Sequence, residues 1–264
     1  MKSAPNVDRE DIQGIVLHGY RRERLACYHL LTFGGGEPRR ALARLVSDVS
    51  SADEPRGLIR TNLALTASGL GRLGMGEQQL LQFSREFRQG MAHPERSLAL
   101  GDVADESPEH WEFGGPNTPV VDALWMTFAA SAAELEESSG HQERTFERFG
   151  LSYQRQDAAL APDPEDHLGD QLNAPALDAR AGKRRLTRAA LGDILLGARD
   201  SSGERVLGPL APVKAGRRPL PAWLHAQNAL DFGRNGSYLV LRKLELEALA
   251  QRDDAALREH VWRA

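Results

Sequence analysis

From Arg39 to Val49 the apolar residues Leu42, Leu45, Val46 and Val49 recur on a helical period, which predicts an amphipathic helix. Just before it lies ACYHLLTF, residues 26–33, a compact run of strand-forming side chains. Gly34-Gly35-Gly36-Glu37-Pro38 separates the two. A short second strand is expected at Asn62–Leu65. Helical patterning follows over Thr66–Leu73 and again over Glu77–Arg88. PVVDALWMTF, residues 119–128, predicts a third strand, Ala132–Phe149 a helix, and Leu151–Arg155 a closing strand. The order β-α-β-β-α-β predicts an α+β, ferredoxin-like fold, an antiparallel sheet with helices on one face.

Three regions are expected along the chain. Residues 1–156 form the ferredoxin-like unit. Residues 157–234, rich in Pro, Asp, Gly and Arg, form a long connection with one ordered stretch at Leu186–Leu196. A connection of that length in a compact protein usually carries function. Residues 235–264 open a second unit. Asn235-Gly236 reads as a turn, Ser237–Leu241 as a strand and Leu244–Trp262 as a helix. Ordering this last segment costs roughly 1–2 kcal/mol per residue in backbone entropy. Its few apolar side chains, at about 1.5–3 kcal/mol each, do not offset that. The segment must therefore dock on the first unit, pair with another chain or stay partly disordered.

The composition, 41% hydrophobic and 27% charged with a formal net charge of -4, is that of an ordinary globular chain. It lacks the concentrated positive field that nucleic-acid binding needs. The one dense basic run, Lys183-Arg184-Arg185 with Arg188, reads as a solvated loop face. The amino terminus is polar, and no apolar run is long enough to span a bilayer. A cytoplasmic location without membrane or nucleic-acid partners is expected. The single cysteine, Cys27, excludes a disulfide within the chain and reads as a small core hydrophobe.

Several motifs invite a chemical reading. Gly69-Leu70-Gly71-Arg72-Leu73-Gly74 matches G-x-G-x-x-G, but no second parallel strand follows, so a glycine-punctuated helix and turn is the better reading. Gly34-Gly35-Gly36 sits where a phosphate-cradling loop would, yet no Lys-Ser/Thr follows. A plain turn is expected there. The histidines, at 18, 29, 93, 110, 141, 167, 225 and 260, show no metal-ligand spacing. Asp166, His167 and Asp170 form a close carboxylate–imidazole group, read first as a solvated loop. No G-x-S-x-G elbow and no Cys–His pairing stands out to support a nucleophile. These residues alone give a soluble α+β protein.

Taken together, however, several stretches resemble the dye-decolorizing (DyP-type) haem peroxidases. Asp11–Tyr20 (DIQGIVLHGY) is similar to that family's opening segment, and Asn62–Thr66 with Gly69-Leu70 and Leu73-Gly74 to its next block. Phe83–Met91, Leu100-Gly101-Asp102, Trp111–Gly114 and Pro119–Leu124 follow in the family's order. Gly192–Gly197 resembles its G-E-F-V-L-G stretch, and NGSYLVLRKL the start of its second ferredoxin-like domain. The family's G-x-x-D-G…I-S-Q-P signature aligns with His167–Pro175. Asp170 and Pro175 are in register there, and both signature glycines are replaced, by His167 and Gln171.

The resemblance implies a haem b-dependent oxidoreductase that uses hydrogen peroxide, with Asp170 as the distal acid–base. No cofactor-binding or metal residue is assigned. The family's axial His and distal Arg lie downstream of NGSYLV, past the last residue here. The expectation is therefore an incomplete or split, truncated peroxidase, inactive as this chain alone. A second polypeptide or a homo-oligomer would complete the second unit. The alternative is a haem-free, degenerate relative that acts in binding or assembly. His225 and His260 are weaker candidates for a substitute axial ligand.

Overall fold

The computed structural model of the protein describes residues 9–17, 20, 23–53, 59–159, 193–198, 200, 202–204, 208–212 and 229–244. Its centre is a four-stranded antiparallel sheet of β1 (Leu25–Thr32), β2 (Ile59–Leu65), β3 (Ala123–Ala129) and β4 (Ser152–Ala159). The strands run in the order β2-β3-β1-β4. This is the expected ferredoxin-like arrangement. Each strand stands where the sequence pattern put one, with edges moved by a few residues. The closing strand extends to Ala159, beyond the expected unit boundary at 156.

Register follows the hydrophobic pattern, because a one-residue slip would turn every side chain to the wrong face. His29 stands opposite Trp125 on one side and Arg155 on the other. β3, in the middle of the sheet, is buried at all seven positions.

Two helices cover one face. α2 (Pro38–Leu45) starts on Pro38, whose missing N–H costs nothing in a first turn, and buries Ala41 and Leu45. α7 (Ala132–Arg148) begins with a capping box. The Ser131 hydroxyl accepts from the Glu134 amide, and the Glu134 carboxylate accepts from the Ser131 amide. Beneath them lie Leu31, Phe33, Leu45, Trp125, Phe146 and Leu151.

The other face carries Ala26, Leu30, Leu124, Met126 and Phe128. No helix layer covers it among the described residues. Ile15 of α1 (Gly14–Leu17), Tyr20, Phe113 and Leu241 pack there instead.

Between β2 and β3 runs a long excursion with four short helices, α3 (Ala67–Arg72), α4 (Glu77–Leu80), α5 (Arg85–Gln89) and α6 (Pro94–Leu100). The single helix expected over Glu77–Arg88 is thus two. Ser84 breaks it by accepting from the Phe87 amide as the N-cap of a new helix. The third strand starts at Ala123 rather than Pro119, since Asp122 turns its carboxylate to the Phe33 amide at 2.7 Å.

Within the expected connection, β5 (Leu210–Pro212) pairs with β6 (Ala229–Asp231). That strand pair had no counterpart in the sequence pattern. Residues 186–192 of the expected ordered stretch lie outside the described residues, as does the Leu244–Trp262 helix beyond Leu244 itself. Among the described residues no helix is long and apolar enough to cross a membrane.

The strand expected at Ser237–Leu241 is the main correction. The Asn235-Gly236 turn forms, with Asn235 at φ 62°. The following residues, however, join no ladder among the described residues. A strand needs a neighbouring edge, and here the segment crosses the β2–β3 excursion and packs on side chains instead.

Candidate functional site

Residues 236–244 form a strap over a groove of about 1560 Å³. The groove lies on the sheet face that lacks helices. Its walls include Leu65, Phe87, Trp111, Phe113, Val121 and Leu124. Charged side chains, among them Arg88, Arg96, Asp102 and Glu112, stand beside these apolar walls, and a large concavity of apolar surface with placed polar groups is the usual form of a ligand or partner site.

The strap is held at several points. Asn235 donates to the Asp11 carboxylate at 2.7 Å, and the Ser237 hydroxyl donates to the Ile194 carbonyl at 2.8 Å. The Leu196 amide donates to the Gly236 carbonyl, and the Asn235 amide to the Leu196 carbonyl. Tyr238 lays its ring 5.5 Å from Phe87, and its hydroxyl accepts from the Ser84 amide at 3.2 Å. Leu241 reaches the cluster of Leu30, Leu124 and Met126. Arg242 pairs with Asp102, and Lys243 with Glu112 and Gln156. The Lys243 ammonium, then the Gln156 amide, hold the Glu112 carboxyl below its usual range.

Asp102 is 4% exposed. Arg242 takes one of its oxygens, while the other has no hydrogen-bond partner among the described residues.

On the helix-covered face a second polar group is buried. Cys27 and His29, two apart on β1, point the same way. The Cys27 sulfur is 3.6 Å from His29 Nε2, which lies 2.9 Å from Glu143 Oε1 on α7. Arg155 on β4 binds Glu143, Glu136 and Asp157 at 3.2, 2.7 and 3.0 Å.

The sequence reading saw no Cys–His pairing. The C-x-H spacing on a strand was the signal for one. The pairing is not that of an activated nucleophile, because burial first, with the Asp157 carboxylate, pushes the thiol up to about 12. Cys27 is wholly buried, as its reading as a core hydrophobe requires. Burial also lowers the His29 pKa, and the Glu143 bond opposes this only in part. Burial alone would raise Asp157, but bonds from Arg155 and Cys27 outweigh it and hold the carboxyl low.

The glycine motifs have structural explanations. A methyl group on Gly69 would overlap the Asp122 carbonyl, and Gly74 sits at φ 89°. Thr66 caps α3 by accepting from the Gly69 amide at 3.1 Å. The sheet is antiparallel, so G-x-G-x-x-G here is a packed turn and no dinucleotide cradle. At Gly34-Gly35-Gly36 the chain turns tightly, and a methyl on Gly36 would strike the Phe149 and Gly150 carbonyls. The Gly36 amide bonds the Phe33 carbonyl, so it is not turned to a phosphate.

Asp170, the expected distal acid–base, lies outside the described residues, as do Asp166, His167, His225 and His260. Among the described residues no group of three His, Cys, Asp or Glu side chains is placed to hold a metal ion.

No protein-family model matches the chain, and no curated protein matches its sequence. Solved structures do. A dye-decolorizing peroxidase in complex with 2,6-dimethoxyphenol matches with a TM-score of 0.53 at 18% identity, over 75% of this chain and 46% of that one. A mutant of the decolorizing peroxidase from Auricularia auricula-judae matches with a TM-score of 0.52 at 18% identity, over 76% and 46%. A dye-decolorizing peroxidase engineered in its heme pocket for asymmetric sulfoxidation matches with a TM-score of 0.53 at 18% identity, over 75% and 45%. This chain thus spans less than half the length of the structures it matches. At such identity the likeness establishes a shared fold.

Proposed function

We propose that this chain is a DyP-type peroxidase-like protein, part of a haem-dependent oxidoreductase that uses hydrogen peroxide. The observation that supports this reading is the strapped groove on a β2-β3-β1-β4 sheet, in a fold shared with dye-decolorizing peroxidases over three quarters of the chain. On this reading Asp170 serves as the distal acid–base, moving a proton between the two peroxide oxygens. Further polypeptide, on this or another chain, completes the second unit.

Haem would supply the peroxide chemistry, and its iron needs an axial donor from the protein. The described residues that line the groove do not fit that need. Their one imidazole belongs to His110, exposed on a short turn, and their one thioether to half-buried Met91. His29 is buried on the other face against Glu143. No step at iron is therefore assigned to these residues.

The same ligand set favours a second reading, a haem-free relative that serves in binding or assembly. The two readings separate by peroxide-dependent dye oxidation in the presence of haem. The first predicts a Soret band and turnover only with the completing polypeptide, and loss of the turnover in Asp170→Asn. Turnover at the wild-type rate in Asp170→Asn would remove Asp170 from the chemistry.

A further inference from the structure

Away from the groove, the helix layer carries a concentration of arginine. On α2, Arg40 and Arg44 stand one turn apart on one face, and on α7 Arg144 and Arg148 do the same. All four are exposed. The two rows meet at Phe149. The Arg40 guanidinium lies 5.6 Å from the centre of its ring and the Arg148 guanidinium 5.8 Å. Neither helix contains a lysine.

Helix stability accounts for only part of this. Arg44 and Arg148 suit the negative helix ends that they occupy. Arg40 does not. It lies in the first turn of α2, where the dipole favours an anion, and that turn holds no acidic residue. Bringing two guanidinium groups to one ring also sets like charges close together, and an exposed cation–π contact returns only about 0.5–1 kcal/mol. Arg40 has one partner, Glu37 at 2.7 Å, in an exposed pair of small worth. Arg44, Arg144 and Arg148 have no carboxylate partner among the described residues. The chain as a whole carries a formal net charge of -4, so this face has the opposite sign to the molecule that bears it.

We propose that the α2–α7 arginine face docks an acidic segment of a partner protein. A guanidinium fork donates two parallel hydrogen bonds to a carboxylate, which a lysine cannot do. The face is also interrupted by acids, Glu37 beside Arg40 and the exposed Glu147 next to Arg148 in the chain. A continuous row of phosphates would press against those carboxylates. A peptide sets its own acids against the arginines and neutral residues against Glu37 and Glu147. The docking uses no residue of the groove and does not depend on the haem reading.

The test is fluorescence anisotropy of a labelled oligoglutamate peptide with the full chain at low ionic strength. The expected result is saturable binding that added salt weakens. Arg44→Gln combined with Arg144→Gln removes two cations without adding a charge, and is expected to weaken binding about tenfold or more. Both side chains are exposed, so the melting temperature should not change. Arg24→Gln, at the end of β1 opposite the turn that meets Phe149, should leave binding as it is. Four outcomes would each overturn the proposal. They are no binding at low salt, wild-type affinity in the double variant, an equal loss in Arg24→Gln, and tighter binding of oligothymidylate or of anionic vesicles than of the peptide.

Discussion

His29 Nε2 lies 2.9 Å from Glu143 Oε1, which ties a central strand to the long helix across 114 residues of sequence. Arg155 closes the arrangement from the neighbouring strand, at 3.2 Å from the same Glu143 oxygen. The imidazole is fully buried and the carboxylate nearly so, with side-chain exposures of 0% and 19%. The pair costs desolvation and repays it through geometry, so it fixes how α7 sits on the sheet more than it adds stability.

A pH dependence follows. Burial holds the His29 pKa below its ordinary value, against the pull of Glu143. The unfolded chain therefore binds a proton at this site before the folded one does. Stability is full above the unfolded value of about 6.5 and falls as pH drops through the window below it. Asp157, also held low, contributes in the same direction, but only below its unfolded value of about 3.9. Melting temperature against pH is the measurement. His29→Gln should flatten the decline that starts near pH 6.5 and leave the steeper acid decline in place.

The two glycines within α3 should respond in opposite ways. Gly69 presses on the Asp122 carbonyl, a backbone atom that has nowhere to move. Gly69→Ala should therefore destabilise by about 1–3 kcal/mol through overpacking. Gly71 lies in the same helix with only the Leu80 side chain near, at 3.6 Å. Gly71→Ala should be neutral or stabilising by up to about 1 kcal/mol, from helix propensity. Urea denaturation of the two variants gives both values. A large loss at both positions would show that the motif is under some other constraint.

The strap depends on Asp102. Asp102→Ala removes the carboxylate partner of Arg242 and should cost about 1.5–3 kcal/mol of local stability, as for a charge-assisted hydrogen bond. The expected readout is faster amide exchange at Ser84, Leu196 and Asn235, whose amides bond at the strap's anchor points, with β1, β3 and β4 little changed. Uniform loss of protection across the sheet would instead mean that Asp102 holds the whole unit.

Much of this architecture was legible in the chain. ACYHLLTF and the Arg39–Val49 period identified β1 and α2. Ala132–Phe149 gave α7 nearly to the residue, because the Ser131–Glu134 capping box fixes its start and Leu135, Ser139, Gln142 and Phe146 share one buried face at helical spacing. Ser84 hid the break between α4 and α5, since a serine inside a helical pattern does not reveal whether its hydroxyl will cap. The Ser237–Leu241 run has strand chemistry, but a strand is a property of two edges, and no second edge meets it among the described residues.

The groove was not legible, because its walls come from Leu65, Trp111, Val121 and Tyr238, which only the fold brings together. The buried network was half visible. C-x-H on a strand places Cys27 and His29 on one face, but Glu143 and Arg155 arrive from elements far along the chain. Asp170 was marked by resemblance to a family signature, and it falls outside the described residues.

The central proposal is that this chain has the fold of the dye-decolorizing peroxidases while its described groove residues offer no fitting axial donor for haem iron. Titration of the purified chain with haem, followed by visible spectroscopy, tests it most directly. The account predicts no stoichiometric, axially ligated complex and no peroxide turnover by the chain alone. A red-brown protein with one haem per chain, a sharp Soret band and turnover of hydrogen peroxide would contradict it.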